Sequence, residues 1–163
     1  MDNESNGRRI EDVIGIGCVG LQEMAVGLDL GQLEEKDVVR IALRRLKAGV
    51  PQHPDQEALA LLLSDELYRV RPILARHAPT STERPQSMRV WLYFAATQVR
   101  KHWSVLSDPE IEFEEVLNEL DEQGLYNAVR LYTPPEGAVL TKDAHLKRID
   151  EILEHERRSF ADC

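Results

Sequence analysis

The chain has 163 residues, 29 of them acidic and 20 basic, and 42% of its side chains are hydrophobic. That length supports one ordinary domain with a real core. No apolar run approaches about 18 residues, which excludes a transmembrane helix, and the acidic balance argues against direct nucleic-acid binding, which needs clustered Lys and Arg.

Residues 1–9, MDNESNGRR, are polar and predict a frayed tail; no h-region follows, so no signal peptide is expected. From Ile10 to Leu30 apolar residues are dense, and the spacing of Ile14, Cys18, Leu21 and Ala25 is helical. Gly15, Gly17 and Gly20 weaken that helix, each by about 1 kcal/mol against Ala. LEEKDVVRIALRRLKA (33–48) predicts a helix with an apolar stripe of Val39, Ala42, Leu43 and Leu46, stopped at Gly49. Pro51 and Pro54 mark a loop, with Pro54 suited to a first helical position. DQEALALLLSDELYRV (55–70) predicts one buried helix on Leu59, Leu62, Leu63, Leu67 and Val70, kinked or ended by Pro72. APTSTERPQS (78–87) predicts a polar loop closed by Ser87 as helix cap. The helix after it has Met88, Trp91, Leu92, Ala95, Val99 and Trp103 on its core face.

Ser107-Asp108-Pro109-Glu110 is a helix start. It offers either an S-x-x-E capping box or Asp108 as cap with Pro109 in the first turn. Phe113, Val116, Leu117 and Leu120 then repeat at i, i+3, i+4 and i+7, and Gly124 ends the helix. LYNAVRLY (125–132) predicts a short helix broken at Pro134-Pro135. Thr141 opens the last one, with Leu146, Ile149, Ile152 and Leu153 inward. With no alternating strand and no repeat, the prediction is an all-α, single-domain irregular bundle of about six to eight helices over residues 10–163.

The charge is unevenly placed. Residues 108–122, DPEIEFEEVLNELDE, hold eight carboxylates and no Lys or Arg, and so carry −8 of the −9 net charge. On a helical wheel Glu112, Glu115, Glu119 and Glu122 lie about 130° from the apolar centre, facing solvent. Glu110, Glu114 and Asp121 flank them. Glu112-x-x-Glu115 and Glu151-x-x-Glu154 resemble the paired E-x-x-E elements of all-α nucleoside-triphosphate pyrophosphohydrolases. In that family facing carboxylates hold Mg²⁺. Here the gap is longer, and the first pair points outward rather than into a cleft.

Gly15-Ile16-Gly17-Cys18-Val19-Gly20 matches G-x-G-x-x-G but lacks the preceding strand and the following acid-bearing strand of a dinucleotide site. It is expected instead to be a helix with small residues at a close crossing. His53, His77, His102, His145 and His155 form no ligand spacing, and no nucleophile–base pair is legible. No cofactor, metal or catalytic residue is therefore expected. Arg40, Arg44 and Lys47 form a basic stripe, expected to be solvated or to face the acidic helix. Cys18 and Cys163, in an apolar segment and at the last position, predict no disulfide framework and a cytoplasmic protein.

Trp91-Leu92-Tyr93-Phe94, Ser107-Asp108-Pro109, Glu114-Glu115-Val116, Tyr126 and Leu131-Tyr132-Thr133-Pro134, with Gly31 to Ala42 as G-x-L-x-x-x-D-V-V-x-x-A, resemble a family of small bacterial proteins of unassigned function. Such small, acidic, helical proteins are similar to the immunity proteins of secreted-toxin systems. The resemblance implies a non-enzymatic inhibitor that binds a cognate toxin with a basic surface. The expected contacts are Glu110, Glu112, Glu114, Glu115, Glu119, Asp121 and Glu122. The competing expectations are a Mg²⁺-dependent helical hydrolase and an adaptor whose acidic face aids solubility.

Overall fold

Apolar residues at helical spacing fill most of the chain, and the computed structural model folds them as helices. It describes residues 11–13, 16–130 and 141–161, with no strand among them. The helices are α1 (Leu21–Asp29), α2 (Glu35–Lys47), α3 (Pro54–Ala60), α4 (Val70–Ala75), α5 (Arg84–Lys101), α6 (Pro109–Leu120) and α7 (Lys142–Ala161). Two 3₁₀ turns, Leu67–Arg69 and Asn127–Val129, complete the order. The all-α class is as expected. The predicted tail at 1–9, the Pro134-Pro135 break, Cys163 and part of the glycine motif fall outside the described residues. No described helix is long and apolar enough to cross a membrane. The chain divides into two compact units, Met1–Met88 and Arg89–Cys163, with the boundary inside α5.

In the first unit the glycine motif corrects its expectation. Gly17 to Gly20 is a turn rather than a helix, with Gly17 at φ 74. Gly20 is the N-cap of α1, its N–H held by Glu23 Oε2 at 2.9 Å. Arg45 donates to the carbonyls of Val19 at 2.9 Å and Gly17 at 3.2 Å, satisfying backbone that no helix pairs. Arg44 pairs with Glu11, so the basic stripe is partly neutralised close by. The buried face of α2 is Asp37, Val38, Ile41 and Ala42, with Val39, Leu43 and Leu46 half-buried. The stripe is thus rotated from the expected one. Cys18 is disulfide-bonded, against the expectation of no disulfide framework.

The single helix expected over 55–70 is three pieces. It stops at Ala60, resumes as the 3₁₀ turn and becomes helix again at Val70. Glu66 Oε2 accepts from Leu63 N at 3.2 Å and its Oε1 from Arg69 at 2.8 Å, so the Ser64-Asp65-Glu66 polar step is held as a turn. Leu61 and Leu63 consequently point to water, 69% and 65% exposed. Pro72 lies in the first turn of α4, where its missing N–H costs no helical bond. Ser87 is not a cap. It sits inside α5, 1% exposed, and its hydroxyl donates to Glu23 at 3.0 Å.

In the second unit α5, α6 and α7 contribute Trp91, Phe94, Phe113, Leu117 and Ile149, all essentially buried. Trp103 lies edge-on to Phe113 and to His145, with centroids 6.1 and 6.5 Å apart. The buried face of α7 is His145, Ile149, Leu153, Glu156 and Phe160. Two of these are polar and were not anticipated as inward. Each has a partner: His145 Nε2 donates to the Val129 carbonyl at 2.7 Å, and Glu156 takes a bidentate pair from Arg89 at 2.7 and 2.8 Å. The Arg89 guanidinium also lies 5.6 Å over the Phe160 ring.

Candidate functional site

Asp108 takes the N-cap position of α6 and Pro109 the first helical one; the Asp108 side chain makes no capping bond. Phe113, Leu117 and Leu120 bury one face, and Val116 is half-buried. Opposite them Glu112, Glu115 and Glu119 are exposed; Glu122 is exposed too, but the helix ends at Leu120 and Glu122 stands in the turn beyond it rather than on the expected helical stripe. None of the four has an ion-pair partner among the described residues. Elsewhere acids are commonly neutralised at short range, as in Glu35–Arg71 at 2.7 Å and Asp150–Arg100 at 2.7 Å. Apolar side chains accompany the carboxylates: Ile111 is 50% exposed and Leu125, after the helix, 43%.

Two of the flanking acids belong inside. Asp121 and Glu114 are 7% and 5% exposed. Asp121 accepts from the N–H groups of Leu125 at 2.7 Å and Tyr126 at 3.0 Å, and lies 3.8 Å from Arg130. Glu114 lies 3.6 Å from the same guanidinium, which also donates to Asn118 at 2.7 Å and the Leu117 carbonyl at 3.1 Å. These acids tie the turn after α6 to the helix and are not available on its surface, a correction to the expected contact set. The wheel does not reveal them, because Arg130 lies outside the helix. Glu110 is half-exposed, 3.8 Å from Lys142. The outward face therefore reduces to Glu112, Glu115 and Glu119, with Asp108 at its start and Glu122 in the turn past its end.

The E-x-x-E carboxylates do not gather into a set of three metal-ligating groups among the described residues. On α7 Glu151 is exposed, 3.9 Å from Lys147. Glu154 accepts from Arg157 at 2.7 and 2.9 Å and from Arg158 at 2.9 Å. The Arg157 hydrogen bond, then that of Arg158, holds its carboxyl down at about 2 from the ordinary 4.5. A depressed folded value means the fork's contribution is complete above 4.5 and is lost as pH falls through about 2. An NMR titration is expected to place the Glu154 midpoint near 2 and to return it towards 4.5 when Arg157 and Arg158 are both changed to Ala. A native midpoint near 4.5 would remove the fork.

A second cluster joins residues whose spacing along the chain makes no ligand motif. His53, Asp55 and His77 bring one ligand atom each within 4.8 Å of one another. His53 precedes α3, where its Nδ1 accepts from Asp55 N at 3.1 Å. His77 follows α4 and donates from Nε2 to Asp55 Oδ2 at 2.6 Å, while Arg76 reaches Asp55 Oδ1 at 2.6 Å. The two imidazoles stand edge to face at 5.0 Å. The His77 hydrogen bond, then that of Arg76, holds the Asp55 carboxyl below the ordinary carboxylate range. The only sequence signal was His53-x-Asp55, and its third member is 22 residues beyond Asp55.

Fold and site together define an all-helical protein with, in one unit, a helix whose outward carboxylates have no counter-ion among the described residues and, in the other, a His–Asp–His cluster. The chain belongs to the bacterial family described as uncharacterized protein conserved in bacteria (DUF2247), whose model matches residues 17–157. No curated protein and no solved structure matches it.

Proposed function

We propose that the protein is an immunity- or antitoxin-type inhibitor that neutralises a cognate bacterial toxin by covering a basic surface, such as the substrate cleft of a nuclease. The observation that carries this is the outward face of α6. Glu112, Glu115 and Glu119, with Glu122 just past the helix end, stand exposed with no counter-ion among the described residues. Like charges three and four residues apart oppose the helix that bears them. A cationic partner relieves that repulsion, steers its own approach and is selected over neutral surfaces. Ile111 adds exposed apolar area on the same face, and interface cores combine such area with a polar rim.

The test is co-expression. A toxin encoded beside this gene is expected to lose its toxicity when the native chain is present and to co-purify with it. Undiminished toxicity, with no complex by size-exclusion chromatography, would end the proposal.

A further inference from the structure

The His53–Asp55–His77 cluster brings together two imidazoles and a carboxylate. Its three side chains come from two places: the turn entering α3, and the residues just after α4. Asp55 and His77 are partly shielded, at 21% and 20% side-chain exposure, while His53 is exposed. The cluster is therefore reachable by a solvated ion and is still held in place by the helices. Two imidazole nitrogens and one carboxylate oxygen form a mixed donor set that suits Zn²⁺ and its first-row neighbours. It does not suit Mg²⁺ or Ca²⁺, which take oxygen ligands.

From this arrangement we infer that His53, Asp55 and His77 form a binding site for one divalent transition-metal ion of the Zn²⁺ class, with water completing the coordination. Zn–N and Zn–O bonds of about 2.0–2.2 Å put tetrahedral ligand atoms about 3.3 Å apart. The observed separations lie within reach of that value. Asp55 and His77 are closer, at 2.6 Å, and the widest separation within the group is no more than 4.8 Å. Rotamer adjustments of an ångström or so convert one arrangement into the other. The metal replaces the proton that His77 Nε2 shares with Asp55. In a neutral ring that proton moves to Nδ1, and in a protonated ring one proton leaves to water. If His53 ligates through Nδ1, it gives up its bond to Asp55 N. Arg76, 59% exposed, is free to swing into solvent as the metal takes its place on the carboxylate.

Titration of the untagged full chain with ZnCl₂ by calorimetry tests this. The expected result is one Zn²⁺ per chain with a dissociation constant of roughly 10 µM or tighter, and no binding of MgCl₂ at the same concentrations. Each of His53→Asn, Asp55→Asn and His77→Asn is expected to weaken Zn²⁺ at least about tenfold, while His102→Asn and His155→Asn leave it unchanged. Should a ligand variant fail to fold, Co²⁺ added to the native chain decides. Selective paramagnetic shifts of the His53 and His77 ring resonances support the site. Native protein that binds no Zn²⁺, folded ligand variants that bind it as tightly as native, or Co²⁺ shifts confined to other histidines would each overturn it.

Discussion

Changing Glu112, Glu115 and Glu119 together to lysine is expected to lower affinity for the cognate toxin by about 100-fold or more at low ionic strength. The loss should fall mainly on the association rate, because these side chains lie at the surface and act through the long-range field. Native binding should weaken as salt rises past about 0.1 M, where screening shortens to about 10 Å. The triple variant should lose that dependence or invert it. Stability is the control. The three side chains are exposed and unpaired among the described residues, so the variant should melt within a few degrees of native. Affinity and salt dependence that both stay unchanged would show that α6 is a solvated face and not the interface.

Asp121→Ala is expected to do the reverse, harming the fold rather than the charge field. The Asp121 side chain is 0% exposed, accepts two backbone N–H bonds and sits beside Arg130. Its removal leaves the Leu125 and Tyr126 N–H donors without their acceptor and takes one of two carboxylates from Arg130, which keeps Glu114, Asn118 and the Leu117 carbonyl. Losses of this kind cost about 3 kcal/mol. In a chain of this size that is roughly 6–12 °C of melting temperature. By contrast Glu119→Ala, a few residues earlier in the same acidic run, should stay within about 0.5 kcal/mol of native. Paired urea melts of the two variants make the comparison. If Asp121→Ala costs no more than Glu119→Ala, the buried assignment of Asp121 is wrong.

That contrast shows how far one dimension of information reaches. The α6 stripe was legible because amphipathicity belongs to a single helix. Phe113, Leu117 and Leu120 fix the inward direction, and the angle to Glu112, Glu115 and Glu119 follows from 3.6 residues per turn. The starts at Pro54, Pro109 and Thr141 were legible for the same reason, since the first turn of a helix is decided by its own capping chemistry; Ala144 N donates to Thr141 Oγ1 at 3.3 Å. The run LALLLSDELY misled because apolar content there exceeds what neighbouring surface covers. Ser64, Asp65 and Glu66 close a turn locally, leaving Leu61 and Leu63 in water.

By itself the sequence determined the all-helical class, the apolar face of α6 and the direction of its carboxylate stripe. Each of these is set by side chains within about two turns of one another. Tertiary structure decided which acids are surface and which are scaffold, because Glu114, Asp121 and Glu156 are defined by Arg130 and Arg89, residues that lie elsewhere in the chain. It also decided that His77 meets Asp55 and His53. A charge or a ligand takes its role from what stands within a few ångströms, and for these residues that neighbour is brought in by the packing of separate helices.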